Sequence, residues 1–143
     1  MKRKTLLLPV LLFMSCTGNS ASEATAQKEL EATVLAKHDS AMAQMGDIYK
    51  LRRNLRSLHD TLAARQTDTL TLQALQEQME GLSQADAVMM DWMHQYHAPD
   101  SLAPQHAEAY LQQELLKIQR VQFVMDSTLR AARKTFQSYE QPE

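Results

Sequence analysis

The stretch from Leu30 to Leu62 reads LEATVLAKHDSAMAQMGDIYKLRRNLRSLHDTL, and in it Val34, Ala41, Ile48, Leu55 and Leu62 recur every seven residues. His38 and Met45, then Leu51 and Leu58, flank that stripe. An apolar heptad sustained over about four repeats marks a helix that lays a seam against other helices. Pro is absent between Pro9 and Pro99, so nothing across this region removes a backbone donor and forces the helix to end. The stretch predicts one long amphipathic helix, and the rest of the chain has to supply the surface that covers its seam.

Gln66-Thr67-Asp68-Thr69 interrupts the pattern with residues that favour turns, and Asp68 or Thr69 can accept from the free amides of a new helix. The second helix runs to about His97 on Leu72, Leu75, Met79, Leu82, Asp86, Met89, Met93 and Tyr96, in which Asp86 is the one charged residue. Ala98-Pro99-Asp100-Ser101-Leu102-Ala103-Pro104 breaks it, and the fixed φ of Pro104 suits a first helical position. A third helix follows to about Gln137 on Leu111, Leu115, Ile118, Val121, Met125, Leu129, Ala132 and Phe136. Antiparallel pairing about residue 67 sets partners whose numbers sum to roughly 134, and pairing about residue 101 sets partners summing to roughly 202. The fold expected is all-α: an antiparallel three-helix bundle over 30–143 with coiled-coil-like packing. A single long helical hairpin that dimerises is the rival. The register brings Asp86 to Arg52 or Lys117 at the rim or interior, because a buried carboxylate without a partner is strongly disfavoured.

Residues 1–15 read as an address. Lys2, Arg3 and Lys4 precede Leu6-Leu7-Leu8-Pro9-Val10-Leu11-Leu12-Phe13-Met14, a positive region followed by a short apolar one, as in a secretion signal. A bilayer span takes about 20 apolar residues, roughly twice this run. Ser15-Cys16 closes the run and resembles the lipobox of bacterial lipoprotein signals. That resemblance implies thioether attachment of diacylglycerol to Cys16, the new N-terminus, and a membrane contact made through the lipid. Thr17, where an Asp would imply inner-membrane retention, favours the outer membrane. Residues 16–29, small and polar with nothing to bury, are expected to be the lipidated Cys and a flexible tether.

Composition then excludes whole classes. With 143 residues the chain suits one domain. One Cys permits no internal disulfide and no thiolate metal cage, and Gly18, Gly46 and Gly81 form no phosphate-cradling loop. Removing the three N-terminal cations leaves 12 Lys+Arg against 17 Asp+Glu, a net charge of −5, so nucleic acid is not an expected partner. No Lys or Arg lies between Arg65 and Lys117, whereas Lys50-Leu51-Arg52-Arg53-Asn54-Leu55-Arg56 is strongly basic. That run is either a docking patch for an anionic polymer or lipid headgroups, or a solvated face that pairs with the acidic middle helix. The pairing reading is the simpler.

Lys37-His38-Asp39-Ser40-Ala41-Met42-Ala43-Gln44-Met45-Gly46-Asp47-Ile48, with Ala85-Asp86-Ala87-Val88-Met89-Met90-Asp91-Trp92-Met93-His94-Gln95-Tyr96, resemble a family of small Bacteroidetes-type lipoproteins often labelled "viral A-type inclusion protein". Tyr110-Leu111 and Lys117-Ile118 extend the resemblance into the third helix. It implies a helical envelope protein and no particular chemistry.

The chemistry-bearing residues gather at one end. Met90, Met93, His94 and His97 fall at i, i+3, i+4 and i+7, and the register brings His38 and Met42 toward them, with His106 nearby. Thioethers and imidazoles are ligands that Cu(I) selects, and a His–Met pair can hold a haem iron. Core filling explains Met on an apolar stripe more simply. Trp92 reads as a packing residue at the bundle edge. No strand-turn-helix setting exposes a nucleophile, so no catalytic residue is assigned and an enzyme is not expected. The function expected is a lipid-anchored envelope protein with a structural, adaptor or protein-binding role, through an envelope protein partner or self-association. A copper- or haem-binding protein is the alternative.

Overall fold

The computed structural model describes residues 19–140. The signal run and Cys16 lie outside the described residues. Four helices account for nearly all of the described chain: α1 (Asn19–Met42), α2 (Met45–Ala64), α3 (Thr69–Gln95) and α4 (Pro104–Glu140). The first two form one arm of a three-layered bundle. Only Ala43 and Gln44 separate them, and Gln44 stays near right-handed helical dihedrals at φ −86, ψ −12. The apolar stripe crosses this interruption in phase, with Val34, Ala41, Ile48 and Leu55 all fully buried. That is the heptad read from the sequence; its last member, Leu62, is half-buried near the end of α2.

Both ends of the α2–α3 turn are satisfied by named groups. Gln66 adopts φ 57, and the Thr67 and Gln66 amides donate to Leu62 and Ala63 carbonyls at 3.1 and 3.0 Å. This is the Schellman arrangement, with glutamine at the left-handed position that glycine usually fills. Asp68 then caps α3 as expected, accepting from the Thr71 amide at 2.9 Å and the Thr71 hydroxyl at 2.8 Å. Those two bonds hold the Asp68 carboxyl below the usual carboxylate range. Pro104 opens α4, where its missing N–H costs nothing.

Register follows from cross-helix contacts. Tyr49–Asp86 and Arg52–Ser83 both sum to 135, the antiparallel pairing expected for α2 and α3. Ser40–Gln122 and Gln44–Asp126 both differ by 82, so α1 and α4 run parallel. Between α3 and α4 the sums exceed the expected 202: Gly81 meets Thr128, and Tyr96 meets Tyr110 at 6.3 Å between ring centroids. The linker explains the offset. It leaves α3 extended, with Tyr96 at φ −72, ψ 130, and buries Pro99 as it goes, so α4 begins beyond the end of α3. The first turn of α4 thereby overhangs α3 and meets Ser22, Glu23, Ala26 and Gln27 of α1 across a shallow depression lined also by Pro104, Gln105 and Glu108.

That overhang bears on the expected tether. From Asn19 onward the chain is helical. Ala21, Glu23, Ala24, Ala26, Gln27, Lys28 and Glu29 are mostly strong helix formers, and α4 offers them a neighbour. These residues bury little, but their local helix preference and the neighbouring α4 are enough to keep them helical.

Two faces are rotated relative to expectation. On α3 the buried positions are Leu75, Met79, Leu82, Ala85, Met89 and Trp92, so Ala85 and Trp92 take the places assigned to Asp86 and Met93. On α4, Glu114 is buried and Leu115 only half-buried. Trp92 is a core residue rather than an edge one. Asp86 does meet Arg52, at 4.0 Å and at the rim, while Lys117 is taken by Glu114 at 2.6 Å.

Candidate functional site

Three helices bring aromatic and acidic side chains together where α1, the end of α3 and the start of α4 meet. Trp92 in the last turn of α3 and Tyr96, the residue that caps its C-terminus, stack at 4.9 Å. His38 of α1 lies 5.6 Å from the Trp92 ring, and Tyr110 of α4 continues the row beyond Tyr96. The Tyr96 hydroxyl donates to Glu31 of α1 at 3.4 Å, and the Tyr110 hydroxyl accepts from the His97 amide at 3.0 Å, fixing the linker where it leaves α3. Burial, with the Glu31 carboxylate beside it, pushes the Tyr96 phenol up to about 12.

Two polar atoms in this region lack partners. The indole Nε1 of Trp92 and Oε2 of Glu114 are buried with no hydrogen bond among the described residues. The other oxygen of Glu114 accepts from Lys117 Nζ, a bond that holds the ammonium above its usual range. A charged residue is an unexpected occupant of a core position on α4. The signal that finds it is the spacing Ala107, Leu111, Glu114, Ile118, on which Glu114 sits as a core position. The close stacking makes the row a clasp between helices: it holds α1 to α3 by side chains where their backbones make few close approaches.

The residues singled out for soft-metal chemistry differ in burial. His38 is half-buried against Trp92, with Nδ1 donating to Asp39 at 3.0 Å. Met42 is half-buried against the core. Met90, Met93, His94, His97 and His106 are exposed, on α3, the linker and α4. Among the described residues no three His, Cys, Asp or Glu side chains are arranged to hold a metal ion. Met45, Met79, Met89 and Met125 are core residues.

What the bundle presents outward is more distinctive. Leu116 and Phe123 lie seven residues apart on the outer side of α4, each 68% exposed. Gln112, Gln113, Gln119 and Arg120 lie beside Leu116, and Gln119, Arg120, Asp126 and Ser127 beside Phe123, so the two apolar side chains share one outer face on either side of Arg120. Leu35, Met90 and Met93 add exposed apolar surface on α1 and α3. Of the charge pairing expected between α2 and α3, the described residues show one ion pair, Arg52–Asp86; Glu77 and Glu80 instead accept from Gln73 and Gln76 on their own helix. Among the described residues no helix is long and apolar enough to cross a membrane. No family model, curated protein or solved structure matches this chain.

Proposed function

We propose that the protein is a lipid-anchored component of the bacterial cell envelope, at the outer membrane, that acts as an adaptor by binding another envelope protein or a second copy of itself through its helical surface. The observation that carries the reading is the exposed pair Leu116 and Phe123. Water contact costs about 25 cal/mol for each Å² of apolar surface, and two large apolar side chains on the same outer face of α4, with Arg120 between them, fit a mixed apolar and charged contact with a partner. The lipobox-like Ser15-Cys16 supports the anchor.

A photo-crosslinking residue at position 116 or 123 of the full chain, in cells, is expected to give discrete adducts containing an envelope protein or a second copy. The same probe at the exposed position Asp60 gives none. Equal or absent adducts at all three positions refute the surface. Cys16→Ser is expected to move the protein from the membrane fraction to the soluble or unprocessed pool, and an unchanged distribution refutes the anchor.

A further inference from the structure

The basic run of α2 is left largely unneutralised by the fold. Arg52 is held in place: Nη1 donates to Ser83 Oγ at 3.2 Å, lies 4.0 Å from Asp86 Oδ2, and its guanidinium sits 5.4 Å over the Tyr49 ring. Tyr49 is itself fixed, its hydroxyl donating to Asp86 at 3.2 Å. Lys50, Arg53 and Arg56 are exposed, and among the described residues none has a carboxylate within 4.0 Å. These four cations occupy two turns at spacings of three and four residues, where like charges destabilise a helix by a few tenths of a kcal/mol per pair. Among the described residues, Asp86 is the α3 carboxylate that reaches this run, at Arg52, and Lys50, Arg53 and Arg56 have no such partner.

Arg52, Arg53 and Arg56 line an open groove of about 480 Å³ together with Tyr49 and Ser83. It continues along α3, lined there by Gln76, Met79, Glu80 and Gln84. Glu80 and Asp86 are the carboxylates present; the first accepts from Gln76 at 2.9 Å and the second from Tyr49. One arginine is already oriented, and two more stand within a helical turn of it with free donor forks, which match oxyanions in bidentate fashion. Exposed apolar surface here is confined to Tyr49, so a docking peptide would find almost no hydrophobic anchor. The site lies between two helices rather than on a convex face, which suits a narrow chain better than a flat bilayer.

We propose that the α2–α3 groove at Arg52, Arg53 and Arg56 binds a linear polyanion carrying phosphate groups. Titrating the full chain with short linear inorganic polyphosphate is expected to show saturable binding that weakens as salt rises. Arg53→Gln with Arg56→Gln lowers the affinity by about tenfold or more, because two charge-assisted contacts are lost. Arg130→Gln with Lys134→Gln removes the same charge from α4 and changes it by less than about threefold. Arg52→Lys keeps the charge and loses the fork, and falls between the two.

No binding by the wild type overturns the proposal. So does equal loss in both double variants, which would mean attraction to net charge alone. Binding to phosphatidylglycerol vesicles without binding to polyphosphate assigns the run to a membrane surface instead. Equal affinity for poly-glutamate removes the phosphate assignment.

Discussion

Replacing Glu114 by leucine is expected to stabilise the protein, although it deletes the closest carboxylate–ammonium pair on α4. The Glu114 side chain is 3% exposed and Lys117 is 55% exposed. A buried oxygen without a partner costs about 1–3 kcal/mol, and more when it carries charge. The return from a half-exposed lysine is roughly 1 kcal/mol after solvent screening. Leucine removes that imbalance and adds about 1.5–3 kcal/mol of apolar burial, less about 1 kcal/mol for the change of shape. The expected net gain is about 1–3 kcal/mol. Urea melts report it as a midpoint raised by about 1 M, with an unchanged slope. Glu114→Gln keeps an acceptor for Lys117 but buries an unpaired amide, so its gain is smaller, about 0–1 kcal/mol. Lys117→Ala strands the carboxylate and destabilises, while Glu114→Leu combined with Lys117→Ala recovers the stability of Glu114→Leu. A loss of more than about 1 kcal/mol in Glu114→Leu refutes the reasoning, because Oε2 would then have a partner, such as a bound water.

Asp86→Ala is expected to cost about 1 kcal/mol, since the carboxylate is at the rim and Arg52 keeps its contacts to Ser83 and Tyr49. Asp91→Ala, at an exposed position, stays within about 0.5 kcal/mol of wild type, and paired urea midpoints distinguish the two. Gln66→Gly relieves a left-handed backbone conformation at φ 57 and is expected to raise stability by up to about 1 kcal/mol; a lower thermal midpoint contradicts the turn geometry. With Tyr96 near 12 in the folded state against 10.0 for a free tyrosine, the unfolded chain loses that proton first, so stability present below pH 10 declines as pH rises toward 12. Tyr96→Phe should flatten that decline between about pH 10 and about pH 12, and an identical slope in both proteins counts against the burial of the Tyr96 hydroxyl beside Glu31.

The sequence by itself determined what depends on neighbours along the chain. A seven-residue apolar period is a property of one helix, and Val34, Ala41, Ile48 and Leu55 are buried as that period requires. The Asp68 cap and the Pro104 start are likewise local, since each acts within one turn. Tertiary structure decided every choice between adjacent residues on a wide apolar face. At 85/86 and 92/93 of α3 the pattern alone accepts either residue of the pair, because one step turns a helix by about 100° and a core stripe is at least that wide. Position 114/115 of α4 offers the same choice and defies composition, taking Glu114 inward over Leu115. What chooses is where α4 lies, and that is set by a linker that leaves α3 extended instead of folding about its midpoint. The same offset placed α4 beside residues 19–29 and gave them a helical partner. It also carried Tyr110 to Tyr96 and completed the aromatic clasp, a contact between residues that no single helical period relates.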